Sequence, residues 1–160
     1  MNDLQLRSAG AENTKGVLYL QFRIREQRFA LSVHEVVEVL PRQPLKPIAQ
    51  APAWVAGILA HRGQLVPVID LAARLGWTHT DATPRNPIIV IEYEGRICGL
   101  IVHDVADIVS IEAGTLQQPD AMGHETITHF LEGIAPLGDD MVMVLDLKQL
   151  MTEDLLELEV

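Results

Sequence analysis

The residues that could do chemistry in this chain are few. His34 and His103 each stand before an acid, Glu35 and Asp104, the arrangement in which a carboxylate can orient an imidazole for proton transfer. Both also sit at matching places in a duplicated sequence, where a structural role at a strand end explains them without catalysis. His124 and His129 in "HETITH" are five apart. A helical zinc pair needs i, i+4 to share a face, so no metal site is expected there. Cys98 falls where the first copy has Phe29, which reads as core filling and not as a nucleophile. As the single cysteine it has no intramolecular disulfide partner. No Gly-rich phosphate loop follows a strand, and no Ser-centred nucleophile elbow occurs. Catalytic residues, a metal and a cofactor are therefore all expected to be absent.

Two carboxylates and one arginine remain. Asp70 and Asp146 close apolar strands and open "LAARLG" and "LKQLM". A carboxylate there accepts hydrogen bonds from the free N–H groups of a first helical turn, worth about 1 kcal/mol. Both are read as structural caps, with Gly76 as the left-handed terminator of the first helix. Arg62 precedes Gly63 in an expected turn between two apolar strands. It is either a solvated turn arginine, or an arginine held by a carboxylate and presented to a partner, as arginines at interface centres are. Glu38, whose strand follows the first hairpin of the same half, is the candidate holder.

These residues must be positioned by a repeated framework. "GILAHRGQLVPVIDL" at 57–71 recurs as "GIAPLGDDMVMVLDL" at 133–147, and "RFALSVHEVVEVL" recurs as "RICGLIVHDVADIVSI" with His34 laid on His103. Each half reads hairpin, His-acid-Val, strand, connection, Gly-Ile, strand, Asp-capped helix. Only the first copy carries "HRG". In "LYLQFRI" the residues Leu18, Leu20, Phe22 and Ile24 alternate with Tyr19, Gln21 and Arg23, a strand with one buried face. "EQ" is its turn and "RFALSV" the returning strand; "YEGR" turns the second hairpin. "PRQPLKPIAQAPA" is a rigid, extended connection, because its prolines lack N–H donors. Pro67 calls for an edge position or a bulge.

Repeated short strands of this kind predict a mainly β fold of two small barrels or curled sheets, a fused pseudo-dimer packed on itself. Little helix is expected beyond the two capped segments and short turns. Residues 1–16 read as a loose tail, 17–152 as the folded domain with approximate halves 17–83 and 84–152, and 153–160 as an acidic tail. The pattern leaves open whether the first strand stays with its own barrel or crosses to the other. With 22 acidic and 12 basic residues the net charge is −10, which disfavours nucleic acid and anionic membrane surfaces. The apolar runs are too short to span a membrane, and the first residues lack a signal-peptide core. A cytoplasmic location is expected.

The blocks "LQFRIREQRFALSVHEVVEVL", "PAWVAGILAHRGQLVPVIDLAARLG", "GLIVHDVADIVSI" and "FLEGIAPLGDDMVMVLDLKQLM" resemble the CheW family of bacterial chemotaxis coupling proteins, over about residues 17 to 152. The resemblance implies two SH3-like five-stranded β-barrels in a pseudo-twofold arrangement. It implies a non-catalytic adaptor joining chemoreceptor cytoplasmic tips to a CheA-type histidine kinase, whose regulatory domain has the same fold and pairs end to end with it. The receptor's helical hairpin would dock in the groove between the barrels. By the family pattern Val36, Glu38, Gly57 and Arg62 match positions of receptor docking and array coupling, with Glu38 and Arg62 as a paired acid and arginine; kinase-binding residues stay unassigned. Ala60-His61 departs from the family's common Asn-Leu before Arg-Gly, a change that would retune which receptor is accepted. Coupling proteins of this type also serve systems controlling surface sensing, pili or second-messenger synthesis. The rivals are a fragment of the kinase itself, disfavoured because there is no room for an ATP-binding domain, and an enzyme with an unrecognised site.

Overall fold

The computed structural model describes residues 16–77, 85–118 and 125–151. The two expected tails lie outside these residues, except for Gly16 at the first boundary, and so does His124. The first half contributes β1 (Val17–Ile24), β2 (Gln27–Ser32), a 3-10 turn at Val33–Glu35, β3 (Val36–Leu40), β4 (Val55–His61), β5 (Gln64–Asp70) and α1 (Leu71–Arg74). The second contributes β6 (Ile88–Tyr93), β7 (Arg96–Ile101), β8 (Asp104–Ile111), a 3-10 turn at Ala113–Thr115, α2 (Glu125–His129), β9 (Leu131–Leu137), β10 (Asp140–Leu145) and α3 (Leu147–Leu150). The fold is mainly β, as expected, with the two Asp-capped helices in place. The five-residue α2 in the second connection is an additional short helix that the sequence pattern does not announce.

Local chemistry sets the corners. Arg25 has φ 55°, and Glu94 and Gly95 have φ 50° and 80°, the left-handed values that match a tight turn to the twist of its strands. The first turn is Arg25–Glu26, one residue earlier than the sequence suggests, because Gln27 already pairs with Ile24. Asp70 Oδ1 accepts from the Ala73 N–H at 3.4 Å and Asp146 Oδ1 from the Lys148 N–H at 3.0 Å, and Gly76 ends α1 at φ 88°.

Strand order answers the question the repeat leaves open. One sheet runs β8-β1-β2-β10-β9 and the other β3-β6-β7-β5-β4. Exchanging β1–β5 with β6–β10 turns one order into the other, which is the pseudo-twofold symmetry. Each half therefore lends its first hairpin to the other half's sheet: β1 pairs with β8 and β2 with β10, while β6 pairs with β3 and β7 with β5. The sheets do not coincide with the halves of the sequence. One core spans both, joining Phe22, Phe29, Met143 and Leu145 to Ile69, Ile89, Cys98 and Leu100.

The swap explains a departure from simple alternation. β1 lies inside its sheet, and Tyr19 and Gln21 are buried as well as Leu20, Phe22 and Ile24. Tyr19 joins Ala30, Ala135, Val142 and Val144 in a second cluster, so both faces of β1 are covered. Pro67 is not on an outer strand, since β4 lies beyond β5. The parallel pairing of β5 with β7 covers only Val68, Ile69 and Asp70, so Pro67 lies outside that ladder and no N–H is missed there.

Candidate docking site at a barrel seam

β3 and β4 are the two outer strands of their sheet, yet side chains at their ends meet. Glu38 Oε2, on β3, lies 3.2 Å from His61 Nε2 at the end of β4 and 3.2 Å from Arg62 Nη2 in the turn that follows. A five-stranded sheet brings its edges together only by curling, so this contact marks the seam of a barrel. Two bulges supply local curl, one between Val36 and Glu38 and one between Val55 and Gly57, since an extra residue on one strand bends it and increases its twist. The Pro-rich connection covers the outer edge of β4: the Lys46 N–H donates to the Ile58 carbonyl at 3.0 Å and the Ile58 N–H to the Lys46 carbonyl at 2.7 Å.

Arg62 and Gly63 form the two-residue β4–β5 turn with φ 50° and 77°. This turn throws Arg62 outward. Its side chain is 74% exposed, against 24% for Glu38 and 14% for His61. The His61–Glu38 contact is at ion-pair distance, but its angles are not those of a hydrogen bond, and both atoms are shielded from water. The arrangement is one shielded anionic oxygen serving two possible cations, one buried and one exposed.

The four residues expected to act together take different places. Glu38 and Arg62 are in contact. Val36 is buried to 6% exposure in the main core, and Gly57 is buried at φ 151°, where an added Cβ would stand 2.6 Å from the Lys46 carbonyl oxygen. Neither offers a side chain to a partner. The second copy lacks the seam pair in its sequence: Asp107 is the counterpart of Glu38, but the positions equivalent to His61 and Arg62 are Leu137 and Gly138, which are not cations. In the sequence His61 stands out only as a departure from the family, and nothing there places it on Glu38; its position at the strand end beside the turn arginine is the available signal. Arg74 carries no such signal. Its guanidinium lies 4.3 Å from the Trp54 ring and 4.7 Å from the Phe130 ring, a cation–π contact that ties the two halves together.

The groups weighed for catalysis are otherwise engaged. His103 Nδ1 accepts from the Arg25 backbone N–H at 2.5 Å, which fixes the first hairpin against the start of β8. Asp104 is paired by its own neighbour across the sheet, Arg23, whose hydrogen bonds hold the Asp104 carboxyl below the usual carboxylate range. The acid after His103 therefore serves Arg23 and not the imidazole. His34 is exposed at the equivalent point before β3, and His129 is exposed with its ring edge-on to Phe130 at 5.1 Å. Cys98 is fully buried, its thiol is pushed up by burial, and it donates to the Gly99 carbonyl at 3.4 Å. Glu35 and Glu132 are pushed above the usual carboxylate range, first by burial; Glu132 and Asp146 add to the rise for Glu35, and Asp146 adds to that for Glu132. Among the described residues no three His, Cys, Asp or Glu side chains are placed to hold a metal ion, and no helix is long and apolar enough to cross a membrane.

Comparison with known proteins agrees with this geometry. The family model described as "CheW-like domain" matches residues 18–155. A probable chemotaxis protein CheW of Rhizobium etli is 31% identical over 134 residues, covering 84% of this chain and 86% of that one. The chemotaxis protein CheW of Rhizobium meliloti is 30% identical over 128 residues, 80% of this chain and 83% of that protein. Among solved structures, the scaffolding protein TtCheW from Thermoanaerobacter tengcongensis superposes with a TM-score of 0.76 at 30% identity, covering 84% of this chain and 87% of that one. With the repeat, the reciprocal hairpin exchange and these matches together, the chain belongs to the CheW-like domain family.

Proposed function

We propose that this chain is a non-catalytic cytoplasmic adaptor that couples the cytoplasmic tips of chemoreceptors to a CheA-type histidine kinase. The observation that carries the reading is the seam: an arginine 74% exposed whose Nη2 lies 3.2 Å from a shielded carboxylate. An exposed arginine at the rim of a groove is the kind of side chain enriched at the energetic centres of interfaces. Its relatives are named chemotaxis proteins, and the solved neighbour is described as a scaffolding protein. The kinase regulatory domain, of the same fold, would meet an end of the molecule, leaving the groove between the barrels to the receptor's helical hairpin. In this reading Glu38 and Arg62 touch the receptor, while Val36 and Gly57 act by positioning β3 and β4.

The test is co-purification of the tagged chain from its native host. Receptor and kinase recovered together support the adaptor, and recovery of neither overturns it. Reconstitution adds a second readout: kinase activity in receptor-containing membranes should depend on the chain, while the chain alone should neither hydrolyse ATP nor accept phosphate from the kinase.

A further inference from the structure

We propose that His61 is a positioning residue that sets whether Arg62 is available to a carboxylate of the docked partner. This rests on the adaptor reading above and names the residue that tunes its docking site. The motivation is the sharing of one oxygen. His61 Nε2 and Arg62 Nη2 both lie 3.2 Å from Glu38 Oε2. When the imidazole is neutral, the carboxylate has one cation to serve, and Arg62 stays folded back on it. When the imidazole is protonated, two cations compete for one shielded oxygen and repel each other. The histidine is 14% exposed and sits at the end of a paired strand; the arginine is 74% exposed on a turn. The arginine is the one that swings out, and a partner carboxylate within its reach takes it as a charge-assisted, bidentate pair.

The groups around His61 are consistent with this. Glu38 faces it from β3 and Arg62 from the turn. β5 opposes it with Gln64, which carries no charge. The connection lies alongside β4 through the backbone of Lys46, paired with Ile58. Histidine is the side chain whose charge ordinarily changes between about pH 5 and 8, so the coupling should be visible in that window. The second copy also shows what the site is without a histidine: Leu137 stands at the equivalent place, so an apolar residue there is compatible with the barrel.

The experiment measures affinity of the full-length chain for the cytoplasmic signalling fragment of a chemoreceptor from the same host, at pH 6 and pH 8. The wild type should bind at least threefold more tightly at pH 6. His61→Gln, whose amide offers N–H donors and never charges, should hold the pH 8 affinity at both values. His61→Leu should do the same, and because leucine is the residue at the equivalent position 137 it keeps the comparison open if the glutamine variant folds poorly. Arg62→Ala should bind weakly with no pH dependence. A slope that survives in Arg62→Ala would mean that His61 acts on the partner directly, and a slope equal in wild type and both His61 variants would mean that it arises elsewhere; a flat wild-type profile beside a weak Arg62→Ala would mean that the histidine does not govern the arginine. Each of these overturns the proposal while leaving the adaptor reading intact. Absence of binding by the wild type at both pH values overturns the adaptor reading and this inference with it. An independent readout is the Arg62 side-chain Nε–H signal of the free chain by NMR, which should narrow toward mobile values as pH falls from 8 to 6 in the wild type and not in His61→Gln; an unchanged signal overturns the proposal.

Discussion

Replacing Gly57 by alanine separates a positioning role from a contact role. At φ 151° an L-residue is strained, at about 1–3 kcal/mol. The new Cβ would stand 2.6 Å from the Lys46 carbonyl oxygen and 2.9 Å from Leu45 Cβ, too close for either, so the 45–46 segment must move away. That movement strains the two backbone hydrogen bonds between Lys46 and Ile58, at 3.0 and 2.7 Å, each worth about 1 kcal/mol net. Together the loss is about 3–5 kcal/mol, and for a chain of this size each kcal/mol lowers Tm by roughly 2–4 °C. Gly57→Ala should therefore lower Tm by about 6–20 °C. Gly63→Ala is the control: φ is 77° and nothing lies within 4 Å of an added Cβ, so only the left-handed conformation costs, about 1 kcal/mol. Thermal unfolding followed by circular dichroism reads both, and receptor binding is measured below both transitions. If Gly57→Ala unfolds no earlier than Gly63→Ala, the close approach is not structural. If it also abolishes binding, Gly57 is then a contact and the positioning argument is refuted.

Arg62→Ala should change stability by less than about 1 kcal/mol, because its ion pair is largely exposed, while weakening receptor affinity at least tenfold; unchanged affinity would return Arg62 to a solvated turn residue. The Glu35 carboxyl is pushed up from 4.5 chiefly by burial, with Glu132 and Asp146 adding to it, so the native state binds that proton more tightly than the unfolded chain. The cost of charging it is absent below the unfolded value and grows as pH rises through and beyond it; Glu35→Gln should thus raise Tm at pH 7 and lose that advantage below about pH 4, and an equal gain at both values would contradict the electrostatic cause. Cys98 should resist thiol reagents in the native protein and react only on unfolding, since burial suppresses the thiolate; rapid modification under native conditions would contradict its place in the core. Residues 17–83 and 84–152 expressed as separate chains should each fail to fold and should assemble when mixed, because each sheet needs a hairpin from the other; a folded isolated half, seen by chemical-shift dispersion, would argue against the exchange.

Much of this molecule is near-neighbour physics and is legible in the sequence. Alternating residues mark β1 and β2, the "YEGR" turn marks the second hairpin, and a carboxylate at a strand end followed by a glycine marks α1. The same holds for the duplication, for Cys98 standing where Phe29 stands, and for Glu38 as the candidate holder of Arg62. What the sequence could not decide is which sheet each hairpin joins. The two halves carry the same pattern, so β1–β2 satisfies its hydrogen bonds and buries its apolar face equally well in local terms beside its own half or the other. The choice is made by the common core, where Phe22 and Phe29 pack with Met143 and Leu145. Burial on the second face of β1 follows from that choice, and so is invisible to a period-two pattern read for one face. The seam is also tertiary: β3 and β4 are opposite edges of one sheet, and only the curl added by two bulges brings Glu38 to His61 and Arg62. Val36 is buried in the common core and Gly57 against the 45–46 segment of the connection, and a linear sequence does not say which residues such long-range packing will cover.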